Sequence, residues 1–349
     1  MPEAIDGAPE VPAAALLSSL RPYRTPHSAR AILELAITAG PLALLWGLAW
    51  LMMKQGHWWG VLLTLPAAAF LLRLFMVQHD CGHGAFFPHK TLNDWTGRVI
   101  GVLTLTPYDS WKHAHAKHHA TSGDLDRRGF GDVEMLTSAE YLALSPGRRL
   151  GYRLFRHPLV MFGLGPAYVF LFRHRLPVGE TSEGWRAWFS PMATNLAIAG
   201  MTIGLILLGG ARTFLLIQLP TSLIAGSIGV WLFYVQHQFE GVAWKRNSGW
   251  NFEDAALHGS SHYHLPGPAG WFTANIGVHH VHHLSSRIPF YRLRQVLRDH
   301  PELDTGRLSF AQSLRGVGLS LWDEPNQRLI SFRELRRQVR RAPAAHGAS

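Results

Sequence analysis

Apolar residues gather into four blocks, at about residues 31–53, 58–77, 189–208 and 214–235, separated by polar and charged sequence. Each approaches the length of about 20 residues that an α-helix needs to cross a hydrocarbon core. The blocks come in two pairs with tight connections, Lys54–His57 and Gly209–Thr213. The pattern therefore predicts two transmembrane hairpins, with every other part of the chain on one side. Glu34 and Arg73 lie near the ends of their blocks, where a charge reaches the interface. Two further apolar pieces, Gly97–Pro107 and Leu159–Phe172, are too short to cross, and the second is broken by Gly163, Gly165 and Pro166. Both are expected to lie on the membrane or dip into it. The predicted class is an all-α integral membrane protein, with four spans carrying a helical cap.

Outside the blocks, residues 1–30 are rich in Pro and Ala and are expected to be loosely ordered. Residues 31–300 form the main domain, and 301–349 a cytoplasmic C-terminal segment ending in the basic tail Arg336–Arg341. Of the 33 Lys and Arg residues only Lys54 and Arg212 fall at hairpin tips and only Arg73 within a block. Positive charge marks the cytoplasmic side, so both termini and the cap are expected there, at a bacterial-type inner membrane. Acidic Glu3, Asp6 and Glu10 rule out a basic signal-peptide start. The net charge of +10 fits lipid headgroups, orientation or an acidic partner; no nucleic-acid motif accompanies it. The single cysteine, Cys81, allows no internal disulfide and no cysteine-ligated iron–sulfur set, and is expected to be a small packed residue.

Histidine changes the picture. Three clusters, His79-x-x-x-His83, His115-x-x-His118-His119 and His279-x-x-His282-His283, have helical ligand spacing, and each begins just past an apolar stretch. Neutral imidazole suits iron, zinc, copper and nickel, and eight such ligands exceed what one metal can use. A two-metal centre at the membrane edge follows. Transporters place ionisable groups at midspan, and these spans are almost free of them, so a membrane metal-binding or transport protein is the weaker reading. His-Glu-x-x-His and Glu-x-x-His are both absent, which excludes the membrane zinc-protease and carboxylate di-iron patterns. Iron with dioxygen would supply C–H cleavage, which side chains cannot perform.

The chain resembles the membrane fatty-acid desaturases. The resemblance runs through His79-Asp80-Cys81-Gly82-His83-Gly84, Trp111-Lys112-His113-Ala114-His115-Ala116-Lys117-His118-His119 and Leu125-Asp126-Arg127-Arg128-Gly129. It continues in Phe233-Tyr234-Val235-Gln236-His237-Gln238 and Asn275-Ile276-Gly277-Val278-His279-His280-Val281-His282-His283. About residues 30 to 300 are covered, and the set looks most like bacterial acyl-lipid desaturases of the omega-6 (Δ12) type. The resemblance implies an oxygen-dependent, di-iron dehydrogenation that places a cis double bond in a membrane-lipid acyl chain. It implies His79, His83, His115, His118, His119, His279, His282 and His283 as ligands, with His237 completing the set. His113 and His280 fall at open positions of the motif.

Ligating histidines usually donate their second N–H to a carboxylate or carbonyl, which makes Asp80, Asp126 and Asp132 candidate partners. Asn275 is a candidate to hold a metal-bound water, or caps a turn. His258, His262 and His264 depart from the family pattern and read as a polar loop. These residues carry no flavin, nicotinamide or His-Pro-Gly-Gly haem signature, so two electrons are expected from an external carrier, with a ferredoxin-like acidic protein suiting the basic face. A hydroxylase or ketolase on the same centre is the runner-up. Double-bond position follows from tunnel length and bend, which no motif encodes.

Overall fold

The computed structural model describes residues 13–129, 133–177, 184–304 and 306–341. Helix α1 (Ala13–Ser19) precedes α2 (Ser28–Lys54), the first span. A 3-10 turn, Trp58–Leu63, leads into α3 (Thr64–Gly82) and makes a second span of 25 residues. Helices α4 (Lys90–Leu103), α5 (Tyr108–Thr121), α6 (Ser138–Ala143), α7 (Pro146–Phe155) and α8 (Gly165–Leu171) follow. The second hairpin is α9 (Trp185–Gly209) and α10 (Ala211–His237). The cap closes with α11 (Phe252–His258), α12 (Gly267–Phe272), α13 (His279–Leu284), α14 (Phe290–Asp299), α15 (Phe310–Gly316) and α16 (Phe332–Arg341). All four expected spans are present, and each helix outruns its apolar block. That excess matters, because it lifts the ends of α3 and α10 out of the apolar zone together with their histidines.

The second span is the hub. Its apolar stretch is 56% buried, against 6% for the third span, and α3 packs on both α2 and α10. The α9–α10 turn is set by glycine: Gly210 has φ +86°, and a Cβ on Gly209 would overlap the Trp50 indole of α2. Arg73 and Glu34 differ from expectation. Neither reaches solvent; each is 1% exposed, and they pair with one another. Arg73 Nε also donates to Thr38 Oγ1 (3.2 Å), a second guanidinium nitrogen donates to the Trp271 carbonyl, and Arg30 caps Glu34 at 2.6 Å. The group thereby bolts α2 and α3 to α12 of the cap.

The apolar piece at 159–172 enters a bent pair, Pro146–Phe155 with Val160–Arg175, inclined at 62°. Residues Val160–Leu164 wind as a π-helix ahead of Pro166, whose missing N–H removes a helical hydrogen bond.

One expectation about the N-terminal end needs correction. Residues 1–12 lie outside the described residues, but 13–24 are folded onto the cap rather than loose. Leu16 and Leu20, one helical turn apart, enter the same core as Phe290, Leu293 and Val296 of α14. Tyr23 donates to Asp299 (2.8 Å) and Arg24 to Ser285 (2.8 Å). The C-terminal segment is also built into the cap. Short strands β1 (Leu136–Thr137), β2 (His262–Tyr263), β3 (Arg307–Leu308), β4 (Leu321–Asp323) and β5 (Arg328–Ile330) form two small sheets, β1-β4-β5 and β2-β3. Buried Arg156 donates to the Leu319 carbonyl (2.9 Å) and to Gln238 Oε1 (3.3 Å), tying that segment to the end of α10. The class remains helical, with these strands as braces.

Removing one partner of a buried ion pair leaves an uncompensated charge, at a cost of roughly 3–5 kcal/mol. Glu34→Ala should therefore lower the apparent melting temperature in detergent sharply. The double variant Glu34→Met/Arg73→Met should recover most of the loss.

Candidate metal centre

Four separate segments deliver histidine to one place. The last turn of α3 supplies His79 and its C-cap His83, α5 supplies His115, His118 and His119, α10 ends on His237, and α13 supplies His279, His282 and His283. Their ring nitrogens converge as two groups: His79, His83, His115, His119 and His282, and His118, His237, His279 and His283. The helical period does the sorting. On α5 the i, i+4 pair His115 and His119 faces the first group while His118 turns to the second. On α13 the i, i+4 pair His279 and His283 faces the second group while His282 turns to the first. The groups meet where His119 and His283 stack with centroids 4.1 Å apart.

The ring-nitrogen spacings are those of ligands sharing a metal ion. Within the first group, Nε2 atoms of His83–His115, His115–His119 and His119–His282 lie 3.1 Å apart. Within the second, His118–His237 and His237–His279 are 3.2 and 3.0 Å apart. Two nitrogens bound at right angles to a metal at about 2.1 Å are about 3.0 Å apart, which these spacings match. His237 Nδ1 lies 3.2 Å from the Gly259 carbonyl, and His79 Nδ1 lies 3.2 Å from Asp80 Oδ1. Donation from Nδ1 leaves Nε2 as a lone pair aimed at the centre. His283 Nε2 is buried and has no hydrogen-bond partner. Burial, and beyond it the neighbouring histidines, hold His83, His115, His119, His279, His282 and His283 well below the usual histidine range. They are neutral and able to bind metal at physiological pH. The donor set fits two metal ions.

The other expected residues divide. Asp80 accepts from the Phe290 N–H (2.7 Å) besides facing His79, so it orients one imidazole. Asp126 instead lies at the surface, where it accepts from Arg246 (2.7 Å) and the Asn247 N–H (2.9 Å); it touches no imidazole, because it sits in the turn beyond α5. Asp132 lies outside the described residues. Asn275 holds φ 55° and a buried Oδ1 without a partner, one turn before His279. His280 turns away and bonds the Leu303 carbonyl (2.7 Å), and His113 bonds the Asp109 carbonyl (2.8 Å) at the surface. His262 pairs with Asp304 at 3.1 Å, His258 pairs with Asp254 at 2.9 Å, and His264 is exposed. The described residues hold no third group of three convergent ligands. Cys81 is buried and packed.

A cavity of about 1060 Å³ opens against the centre, with His79, His115 and His279 in its wall. Its long side is a stripe on α10, from Ser222 through Gly226, Gly229 and Phe233 to Gln236. The fourteen helical steps from Ser222 to Gln236 rise about 21 Å. Phe75, Trp111, Phe233 and Ile276 surround the part nearest the histidines, and Trp111 stacks on His115 at 4.7 Å. Sequence reading passed over Trp111, although it stands one helical turn before His115.

Residues 56–313 match the family model described as fatty acid desaturase. The chain belongs to this family. It is 42% identical over 322 residues to a fatty acid desaturase of Bacillus subtilis, covering 92% of this chain and 91% of the relative. A Synechocystis sn-1 acyl-lipid omega-3 desaturase (ferredoxin) is 30% identical over 64% of this chain and 62% of its own length. A Delta(12) fatty acid dehydrogenase of Crepis alpina is 24% identical over 65% and 64%. The protein is thus an oxygen-dependent oxidoreductase acting on acyl chains, built on membrane helices.

Metal analysis of the purified desaturase should give two ions per chain. His118→Ala or His283→Ala should lose at least one, and His280→Ala should keep both. Asp80→Asn should weaken binding roughly 10–100-fold. As pH falls below about 6.5 the unfolded chain takes up protons that the buried imidazoles refuse. The metal-free protein should therefore melt progressively lower on the acid side of that value; a flat profile between about pH 5 and 8 contradicts the burial argument.

Proposed function

We propose that the nine histidines hold two iron ions and that the cavity beside them binds a lipid-borne acyl chain, into which a cis double bond is introduced. The observation that carries this reading is the shared wall. The two histidine groups and an apolar cavity of acyl dimensions meet at His79, His115 and His279. With dioxygen, two electrons and two protons, a di-iron centre held there would supply the C–H cleavage that turns CH₂–CH₂ into CH=CH, with two water molecules as the other product.

The chain's own part is positioning. Phe75, Trp111, Phe233 and Ile276 confine the acyl chain and keep water from it. Asp80 and the Gly259 carbonyl fix His79 and His237 in the tautomer that presents Nε2. Trp111 and Phe233 flank His115 and His118 and hold those rings in place. Electrons come from a separate ferredoxin-like carrier, in keeping with the Synechocystis relative's name and with a chain of net charge +10. The distribution of Lys and Arg supports a cytoplasmic centre at a bacterial inner membrane, and the motif set resembles that of omega-6 acyl-lipid desaturases.

Bacteria expressing the chain should gain an unsaturated ester by gas chromatography–mass spectrometry, two mass units below its precursor, and the His118→Ala control should not. Gain of oxygen instead would make it a hydroxylase or ketolase. Gly229 faces Leu72, where a Cβ would lie 3.6 Å from Cδ1. Gly229→Phe should fill the cavity and cut turnover about 100-fold while metal content stays unchanged.

A further inference from the structure

The cavity has two charged ends of opposite character. Toward the cap its wall carries Asp126, Glu134 and Glu140 against Arg128 and Arg246. Both guanidiniums are already committed: Arg128 to Glu140 at 2.5 Å, and Arg246 to Asp126 at 2.7 Å and to Glu324 at 2.8 Å. An anionic headgroup would meet three carboxylates there and, among the described lining residues, find no free cation.

The membrane side differs. There the wall is formed by Phe170, Arg173, His174, Leu176, Pro191 and Ser222, with no carboxylate among them. Arg173 is exposed, and its guanidinium has no ion pair or hydrogen bond among the described residues. Arg175 donates only to neutral acceptors, Asn195 Oδ1 at 2.8 Å and the Leu105 carbonyl, and its Nε is buried without a partner. His174 Nδ1 is also buried without a partner, and its ring is held edge-on by Phe170 at 5.3 Å. Arg173 and His174 thus bring a permanent cation and an unused imidazole nitrogen to one part of the cavity wall, with the guanidinium of Arg175 held beside them by neutral groups. Guanidinium forks match phosphate oxygens in shape and charge. The segment ends the bent helix pair that meets the spans, and Trp185 and Trp188 on α9, both exposed, mark the neighbouring interface.

We propose that Arg173, flanked by His174 and Arg175, binds the phosphate of a membrane glycerophospholipid whose acyl chain enters the cavity. This rests on the desaturase reading and adds the acyl carrier: a phosphodiester lipid taken from the bilayer, rather than a water-soluble thioester docked on the cap. Free phosphate offers the same chemistry without the chains, so the test must separate the two.

Purified full-length protein is offered equal amounts of phosphatidylglycerol and diacylglycerol bearing identical acyl chains, and bound lipid is counted by native mass spectrometry. The wild type should retain the phospholipid at least about tenfold over diacylglycerol, the scale of one charge-assisted contact. Arg173→Ala should bring the ratio near one and Arg173→Lys should restore part of it. Arg336→Ala, on the exposed tail helix, should leave it unchanged. Equal retention by the wild type, or a preference that survives Arg173→Ala, overturns the site. Displacement of the phospholipid by millimolar inorganic phosphate would make this a free-anion site and overturn the lipid assignment. Double bonds are scored separately in the same lipids. Unsaturation of both lipids with a retention ratio near one keeps the desaturase and removes the phosphate site. A tenfold retention ratio without unsaturation keeps the site and removes the desaturase reading.

Discussion

The structure depends on nine imidazoles whose ring nitrogens converge in two groups, seven of them facing a neighbour at 3.0–3.2 Å. Lone pairs brought that close in a dry interior repel unless a proton or a metal cation lies between them. Meeting that constraint requires four chain segments far apart in sequence to converge. Helices α3 and α10 satisfy it by running past their apolar stretches, which carries His79, His83 and His237 clear of the lipid zone. Helices α5 and α13 satisfy it by splitting their histidines two and one between the groups. Much of the rest braces these four helices: the Arg73–Glu34 bolt beneath α12, the β1-β4-β5 sheet, and the Arg156 anchor beside the end of α10.

The acyl cavity follows from the same arrangement. Where α3 and α10 converge on the metal groups they leave small residues, Ala225, Gly226 and Gly229, along the inner face of α10. Small side chains let the cavity run beside the helices instead of being filled by them. The charges at its ends are distributed unequally, so a bound amphiphile has a preferred direction in which to lie.

Much of this was legible in the sequence because it is written locally. Twenty-residue apolar blocks specify spans, and i, i+3, i+4 histidines specify a shared face. His237 was different: a single imidazole at a helix end carries no periodic signal, and only resemblance singled it out. Long-range pairings were not legible. Leu136 pairs with Leu321, and two- or three-residue strands leave no alternation to read. Leu16 and Leu20 looked like part of a Pro- and Ala-rich tail because their partners on α14 lie more than 250 residues away. Asp126 lies only seven residues past His119, yet it sits beyond the end of α5 and turns to Arg246. Arg73 and Glu34 were taken for interfacial charges, since one sequence position does not reveal that a partner and a cap carbonyl await it in the interior.

The most direct test of the central claim is anomalous diffraction at the iron absorption edge from crystals of the iron-loaded desaturase. Two peaks are predicted, one inside the His79/His83/His115/His119/His282 group and one inside the His118/His237/His279/His283 group. A single peak, or iron bound away from these residues, would contradict the account.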